Sequence, residues 1–332
     1  MSLQLKAVGR TDIGLVRSGN EDCLHIDRKN HVYAVLDGMG GHQAGEVASI
    51  TASDIVHRAF SNMAAELLDD ASLGIDLPLP PSGKLLLKSI RLANRAVFGR
   101  AQGNPSLSGM GTTIVATAFE ADIMSIVHVG DSRAYRLTES GLEPLTHDHS
   151  WVAEIQAAHH LSEREAASFV GKNVITRALG VRGTVEVDFR NVKVKPGDQF
   201  ILCSDGLCGF ADDGEIFDAA SEYRHNLTEL VDSLIQLAND RGGSDNVTVI
   251  ALQVVDIEAS SLPELEVFTL REESEEISAA EDQWLTRIAE SQTQPAPDIG
   301  VPKRGISKIA LLVFFLLFII VAVLVIWMLP GK

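Results

Sequence analysis

The sequence predicts an α+β fold in which antiparallel sheets pack together and are covered by helices. Strand-like segments come in blocks and helix-like segments come in pairs, whereas a parallel α/β protein would alternate them regularly. The composition, 45% hydrophobic and 22% charged residues, is that of an ordinary folded domain. With 332 residues, the chain has room for one large or two small domains.

The first part of the chain begins with a short apolar run and continues with two helices. Val32–Leu36 leads into an Asp-Gly turn at 37–38. Helical periodicity follows over Ala44–Leu68 and again over Lys84–Ala101. The Pro-rich segment 69–83 between them predicts a loop.

A meander of hairpins is expected next. Three β-rich runs, Thr112–Phe119, Ile123–Val129 and Ala134–Leu137, are separated by turn residues, which is typical of an antiparallel sheet. The remaining elements are expected as strands at Val185–Phe189, Gln199–Cys203 and Asn246–Val255, and as helices near 148–169, 212–221 and 227–239. The globular domain is therefore predicted to span residues 1–255.

The chain after residue 255 has the composition of a linker. Residues 256–290 contain eleven Asp and Glu against two Arg, a net charge of −9, and residues 291–302 contain three prolines. Acid-rich and then Pro/Gln-rich composition predicts a disordered tether over 256–308. A short amphipathic helix around Trp284-Leu285 and Ile288 is the alternative within this segment.

Residues 309–329 form an apolar run of twenty-one residues without a charge. A helix of this length spans about 30 Å, the thickness of the hydrocarbon core of a bilayer. We therefore expect a single C-terminal transmembrane helix at 309–329. Lys303, Arg304 and Lys308 precede it and Lys332 alone follows, so the positive-inside rule predicts that the preceding domain is cytoplasmic.

The net charge and the cysteine content narrow the function classes. A formal charge of −17 argues against nucleic-acid binding, which normally needs a basic surface, and suits a protein that holds cations. Three cysteines, Cys23, Cys203 and Cys208, provide no disulfide framework and favour a reducing compartment.

Five acidic sites share one local pattern, in which a carboxylate lies at the end of a predicted strand or turn beside Gly or Asn. They are Asn20-Glu21-Asp22, Asp37-Gly38, Gly130-Asp131-Ser132, Ser204-Asp205-Gly206 and Ser244-Asp245-Asn246. Mg²⁺ and Mn²⁺ prefer oxygen ligands, and carboxylates brought together without a cation would repel one another. The alternative is that each site is only a turn, and the sequence by itself leaves open whether the sites converge.

These sites belong to longer motifs, which are DIGLVR at 12–17, NED at 20–22, VLDGMGGH at 35–42, GMGTT at 109–113, HVGDSR at 128–133, DHS at 148–150, ITRALG at 175–180, CSDGL at 203–207 and SDNVT at 244–248. In their order they resemble the metal-dependent protein serine/threonine phosphatases of type 2C, in the bacterial form. The resemblance covers roughly residues 5–255. It implies two antiparallel sheets between helix pairs, a four-layer αββα sandwich, and hydrolysis of phosphoserine and phosphothreonine in proteins.

The resemblance also implies a ligand set for two Mn²⁺ or Mg²⁺ ions. Asp37 is expected to bridge both ions, with the Gly38 carbonyl on one of them. Asp205 and Asp245 are expected to complete the shell of the other ion. The adjacent acids at 21–22, Glu21 and Asp22, match acids that bind the first ion directly or through its waters, and which of the two binds directly stays open.

Arg17 matches the family arginine that holds the substrate phosphate, a role suited to a bidentate guanidinium. Met39 stands where many eukaryotic members have a histidine, so we expect water to protonate the leaving group. Gly209 replaces an acid of the family, which leaves Asp131 and Asp205 as candidates for a third metal ion. Residues 168–172 replace the basic and proline residues that normally precede the ITRALG motif, so substrate choice is expected to differ.

Three functions remain to be compared. An active phosphatase is favoured over a catalytically silent scaffold because the acids expected as ligands of the two ions are all present. These acids are Glu21, Asp22, Asp37, Asp205 and Asp245. A two-metal nuclease is disfavoured by the negative charge of the chain. The expected partners are phosphorylated Ser/Thr proteins, including Ser/Thr kinases by family resemblance, together with a membrane and no nucleic acid.

Overall fold

The computed structural model describes residues 3–40, 43–62, 79–159, 174–270 and 283–287, and this part of the chain contains both antiparallel strands and helices. The strands are β1 (Gln4–Asp12), β2 (Cys23–Asp27), β3 (Val32–Leu36), β4 (Gly38–Met39), β5 (Gly111–Thr112), β6 (Ile114–Glu120), β7 (Ile123–Val129), β8 (Arg133–Leu137), β9 (Leu142–Pro144), β10 (Val187–Lys193), β11 (Gln199–Cys203), β12 (Val247–Asp256) and β13 (Leu265–Leu270). The helices are α1 (Gln43–Asn62), α2 (Pro81–Gly103), α3 (Trp151–His159), α4 (Asp205–Cys208), α5 (Asp213–Glu222) and α6 (Leu227–Asp240), with a 3₁₀ turn at Pro105–Leu107 and a helical turn at 283–287.

Two large sheets and one small sheet hold these strands. The first sheet has the order β1-β12-β11-β8-β9, and the second has the order β13-β10-β7-β6-β3-β2. The pair β4-β5 forms the small sheet. Neighbouring strands in all three sheets are antiparallel, as the run of predicted hairpins requires.

The core between the two large sheets follows from the period-2 alternation of their strands. On β11, Phe200 and Leu202 join Tyr33 and Ile250 in a buried cluster that draws on both sheets. Their neighbours on β11, such as Ile201, face the other way and pack in a second cluster with residues of α4, α5 and α6. Burying one such side chain contributes about 1.5–3 kcal/mol, so the alternation fixes which face of each strand lies inside.

Helix pairs cover the outer faces of the sandwich. Helices α1 and α2 pack on each other and on strands of the second sheet, whereas α5 and α6 pack on each other and against the first sheet. Helix α5 begins with a capping box between Asp212 and Glu215, and the Asn226 side chain caps α6. The predicted α+β class, with a four-layer αββα sandwich, is therefore confirmed.

Part of the segment predicted as a disordered tether is ordered. Strand β13 pairs with β10, and the rings of Phe268 and Phe189 lie with their centroids 5.3 Å apart. The turn at 283–287 buries Trp284, which is 1% exposed, in agreement with the alternative of a short helix there. The boundary predicted at residue 255 is wrong for these segments, because the acidic composition concealed a strand with apolar residues on both faces. The first compact unit of the chain ends at Leu285.

The rest of the predicted tether and the predicted span at 309–329 lie outside the described residues. Among the helices that the structure does describe, none is both long enough and apolar enough to cross a bilayer.

Candidate functional site

The predicted acidic sites meet at one end of the sandwich. Strands β3, β7 and β11 end at this edge, and β2 and β12 begin there, because neighbouring antiparallel strands run in opposite directions. Asp37 follows β3 directly, and Asp22 immediately precedes β2. Asp131 lies in the turn after β7, Asp205 opens α4 just after β11, and Asp245 precedes β12.

Burial and mutual repulsion characterise this carboxylate cluster. Burial first, and then the carboxylates of Asp22, Asp205 and Asp131, raise the pKa of Asp37 well above its ordinary value. Burial and neighbouring acids likewise raise the pKa of Asp22 and that of Asp131 to about 7 each. Burial and the Asp245 carboxylate raise the pKa of Asp205, although a hydrogen bond with Asp37 opposes part of this shift. The fold therefore holds together carboxylates that would separate in the unfolded chain.

Three carboxylate oxygens of the cluster are buried without a hydrogen-bond partner in the described part of the chain: Oδ1 of Asp22, Oδ1 of Asp131 and Oδ1 of Asp205. A buried polar atom without a partner normally costs about 1–3 kcal/mol, and more if it is charged. Several such oxygens on one edge form the all-oxygen ligand set that Mg²⁺ and Mn²⁺ prefer. The residues at this edge therefore fit a divalent-cation site.

The backbone around Asp37 is fixed by two threonines that the sequence analysis left without a role. The Asp37 amide donates to Thr113 Oγ1 (3.1 Å), and the Asp37 carbonyl accepts from the Thr113 amide (2.8 Å) and from Thr112 Oγ1 (2.9 Å). Thr113 Oγ1 also lies 2.7 Å from Ser132 Oγ, in the turn that carries Asp131. Thr113 thus connects the positions of two carboxylates. The GMGTT motif pointed to this segment but not to the role.

Gly38 lies where no side chain can fit. A Cβ atom there would be 2.2 Å from the Gly45 carbonyl oxygen and 2.5 Å from the Glu21 carbonyl oxygen. The Gly38 amide donates to that same Glu21 carbonyl at 3.2 Å. Glycine therefore allows the backbone of β4 to pack directly against the backbone at Glu21 and Gly45.

The structure gives the adjacent acids Glu21 and Asp22 different surroundings. The Glu21 carboxylate lies against the first turn of α1, because a Cβ on Gly45 would be 2.2 Å from Glu21 Oε2. Asp22 is 8% exposed, and its Oδ2 accepts from Ser204 Oγ (2.8 Å), whereas its Oδ1 is buried without a hydrogen-bond partner among the described residues. Asp22 therefore belongs to the buried cluster, and Glu21 lies beside it.

Asn246 joins the two loops that border the cluster. Its Oδ1 accepts from the Glu21 amide (2.9 Å), and its Nδ2 donates to the carbonyls of Ile13 and Gly19 (3.0 Å each). Asn246 belongs to the SDNVT motif, which does not by itself indicate this bridging role. An amide immediately after the ligand candidate Asp245 was the only available signal.

Arg17 lies at the rim of the cluster, with half of its side chain exposed. Its guanidinium donates to Asp245 Oδ2 at 2.8 Å and to the Ser244 carbonyl at 3.4 Å. Burial lowers its pKa, but Asp245, Glu21 and Asp37 raise it, and the net shift is upward. The expected phosphate-binding cation thus adjoins the expected metal ligands.

Asp131 and Gly209 lie on neighbouring segments. Cys208, next to Gly209, has its Sγ 4.0 Å from the Asp131 carbonyl oxygen. Gly209 has a φ of −83° and ends α4, and its amide donates to the Asp205 carbonyl at 2.7 Å. The structure therefore brings together the two candidates for a third ion, Asp131 and Asp205, beside the position where an acid is absent.

Comparison with known proteins gives a consistent result. The sequence model of the family Protein phosphatase 2C matches residues 17–247. The serine/threonine phosphatase stp of Listeria welshimeri is 38% identical over 249 residues, which cover 74% of this chain and 94% of that protein. The serine/threonine protein phosphatase PstP of Mycobacterium tuberculosis is 36% identical over 259 residues, 77% of this chain but 46% of that protein.

Solved structures show the same similarity. The catalytic domain of PstP in complex with two manganese ions is 35% identical, with a TM-score of 0.62, over 77% of this chain and all of that chain (100%). A serine/threonine phosphatase from Staphylococcus aureus is 31% identical, with a TM-score of 0.67, over 77% of this chain and 98% of that chain.

Proposed function

The chain belongs to the protein phosphatase 2C family and is a serine/threonine phosphatase; we propose that it hydrolyses phosphoserine and phosphothreonine in proteins by means of two Mn²⁺ or Mg²⁺ ions. The observation that carries the metal proposal is the set of buried carboxylate oxygens without hydrogen-bond partners at the sheet edge. The manganese ions in the related PstP structure support it.

The residues that would hold the ions are those of the cluster and its rim. They are Asp37, the Gly38 carbonyl, Asp22, Glu21, Asp205 and Asp245, with Asp131 as a candidate for a third ion. When bound, such ions would lower the pKa of a water at the site and would offset charge on the phosphoryl group. Glu21, which lies against α1, is expected to act less directly than Asp22.

Arg17 binds and orients the phosphate. Its guanidinium can present two parallel N–H groups to phosphate oxygens, and it stays charged at all working pH values. In the structure it donates one of these groups to Asp245, so a phosphate oxygen competes with that carboxylate for the donor. Asp245 thereby keeps the guanidinium at the rim, oriented toward the cluster, until the substrate binds.

Hydrolysis adds water across the phosphorus–oxygen bond and yields phosphate and the free serine or threonine hydroxyl. The leaving oxygen must take up a proton. Met39, the side chain that follows Gly38 in β4, carries no titratable group. The proton therefore comes from water at the site, and this chain needs no histidine at that position.

The test compares Asp37→Asn with Asp232→Asn in the full-length protein. Asp232 lies on α6 and pairs with Arg10 at the surface, so its replacement is a matched control. With Mn²⁺ present, the wild type and Asp232→Asn should hydrolyse a phosphothreonine peptide, and chelator should abolish the reaction. Asp37→Asn should lose about three orders of magnitude in kcat, because the site would lose the charge of one carboxylate that is expected to hold the ions. Full activity in chelator, or in Asp37→Asn, would contradict the two-metal proposal.

The second part of the proposal concerns location. An anchor at 309–329 with basic residues before it would hold the domain on the cytoplasmic side of a membrane, close to membrane-bound phosphoproteins such as Ser/Thr kinases. The support for this comes from the sequence alone. Deleting residues 306–332 should release an active protein into the soluble fraction. Digestion of the domain by protease added outside intact cells would contradict the orientation.

A further inference from the structure

A cavity of ≈ 510 Å³ opens beside the carboxylate cluster. Met39 lines one part of it, and the segment 175–186 lines the rest, with Thr176, Arg177, Val181, Arg182 and Glu186 among the lining residues. The metal and phosphate chemistry described above does not use this cavity.

The wall of the cavity is attached directly to the metal-site strand. Met39 follows Asp37 by two residues in extended backbone, a distance of about 7 Å. In the small sheet Met39 pairs with Gly111, and the adjoining Thr112 exchanges two backbone hydrogen bonds with Leu179 (3.1 and 2.9 Å). A peptide advances at most about 3.6 Å per residue, so the cavity lies within one to three residues of a phosphorylated side chain bound at the cluster.

The two arginines of the cavity differ in their partners. Arg177 is neutralised, because its guanidinium lies 3.1 Å from Asp188 and 3.5 Å from Glu186. Arg182 is exposed, and within the described part of the chain its guanidinium has neither an ion-pair partner nor a hydrogen-bond partner. Arg182 is thus the cation of this cavity that is available to a ligand.

The backbone that carries Arg182 is held rigidly. Asn94, which is fully buried on α2, donates through Nδ2 to the carbonyls of Arg182 and Gly183 (3.1 Å each). Its Oδ1 accepts from the Gly180 amide at 2.8 Å. A single buried amide therefore fixes the turn, so that only the side chain of Arg182 has to be ordered when a ligand binds.

We propose that Arg182 forms an anion-binding subsite that selects substrates with a carboxylate or a second phosphoryl group one to three residues from the phosphorylated serine or threonine. The proposal rests on the phosphatase activity and adds a substrate preference to it. In a chain with a net charge of −17, a partner-free cation next to the reaction site gives an acidic substrate a local binding site that the protein surface as a whole does not offer.

The experiment uses the full-length protein with Mn²⁺ and phosphothreonine peptides that differ only at the three flanking positions on each side. One peptide has alanine there, one has glutamate, and one has a non-hydrolysable phosphonate analogue of phosphoserine. The wild type should favour the glutamate peptide over the alanine peptide about fivefold in kcat/KM, the order expected of a partly exposed ion pair. A larger factor for the phosphonate peptide would identify a second phosphoryl group as the better ligand.

Three substitutions at Arg182 and one control decide the outcome. Arg182→Ala should equalise the glutamate and alanine peptides, Arg182→Glu should invert the preference, and Arg182→Lys should keep part of it. Lys195→Glu, an equal charge reversal beside a separate cavity, should leave the ratio unchanged. An equal fall on all peptides in the Arg182 variants, or a wild type without preference, would overturn the subsite. Absence of para-nitrophenyl phosphate hydrolysis by the wild type would instead refute the phosphatase function, and the subsite with it.

Discussion

Acidification from pH 7 to pH 5 should destabilise the fold by about 2 kcal/mol through His128 alone. His128 lies on β7 and is 2% exposed. Its ring lies 4.6 Å, centroid to centroid, from that of His149. Burial first, then His149 and the Arg177 guanidinium, lower the pKa of His128 to about 3, although Asp188 and a hydrogen bond with the Ser132 backbone oppose the shift.

The sign and the size follow from linkage. In the unfolded chain a histidine binds a proton at a pH of about 6.5, whereas the folded chain resists protonation of His128 down to a pH of about 3. Between these values the unfolded state holds more protons, so stability rises with pH and falls on acidification. A pH of 5 lies about 1.5 units below the histidine pKa of the unfolded chain, and each unit changes the free energy of unfolding by about 1.4 kcal/mol. The loss begins below about pH 6.5 and levels off below about pH 3.

The assay is urea unfolding at pH 7 and at pH 5, followed by tryptophan fluorescence, for the wild type and for His128→Asn. Between pH 7 and pH 5 the free energy of unfolding should fall by about 2 kcal/mol more in the wild type than in the variant, because asparagine does not titrate. Other acid-sensitive groups, such as His25, contribute equally to both proteins and cancel in the difference. His147→Asn, at an exposed position, is the matched control and should behave like the wild type. Equal losses in the wild type and His128→Asn, or protonation of His128 above pH 5 measured by NMR, would refute the reasoning.

The remaining predictions concern the site. Arg17→Ala should raise KM for phosphopeptides and lower kcat, while metal affinity measured by calorimetry should not fall, because the Arg17–Asp245 ion pair competes with the metal. Gly209→Asp should lower the Mn²⁺ concentration that gives the half-maximal rate; its φ of −83° allows a side chain, but a Cβ would lie 2.7 Å from a backbone oxygen, so the unfolding free energy should fall. Thr113→Val removes the acceptor of the Asp37 amide and should lower the unfolding free energy by about 1–3 kcal/mol, measured by denaturant titration.

Local patterns predicted the elements well because each pattern reports on a single segment. The run 199–203 was expected as a strand, and the structure forms β11 there, with Phe200 and Leu202 inside the sandwich and Ile201 toward the helices. The turn residues beside each carboxylate also placed the acids at strand ends. The convergence of these acids could not be derived from their spacing in the sequence, because it depends on which strands become neighbours in the sheets. Only the family resemblance indicated that arrangement.

Non-local contacts explain what the sequence analysis missed. The pairing of Arg17 with Asp245 joins loops at opposite ends of the domain sequence, and no short pattern encodes it. The role of Asn246 depends on three backbone groups that only the folded chain brings within reach. Strand β13 was missed for a related reason: composition averaged over 256–290 describes a charged segment, whereas its pairing with β10 depends on an edge that the rest of the sheet leaves available.

Strand β13, which lies beyond the residues matched by the family, connects to the carboxylate cluster through a chain of side chains. Thr269 Oγ1 donates to Asp188 Oδ1 at 2.7 Å, and Asp188 Oδ2 lies 3.1 Å from His149 Nε2. Because His149 Nδ1 accepts from the Gly130 amide (3.1 Å), a neutral imidazole must carry its proton on Nε2 and donate it to Asp188. The Gly130 carbonyl in turn accepts from the His149 amide at 2.7 Å. His149 thus forms hydrogen bonds with both the amide and the carbonyl of Gly130, the residue that precedes Asp131. The position of the Asp131 carboxylate therefore depends on a series of hydrogen bonds that begins in β13.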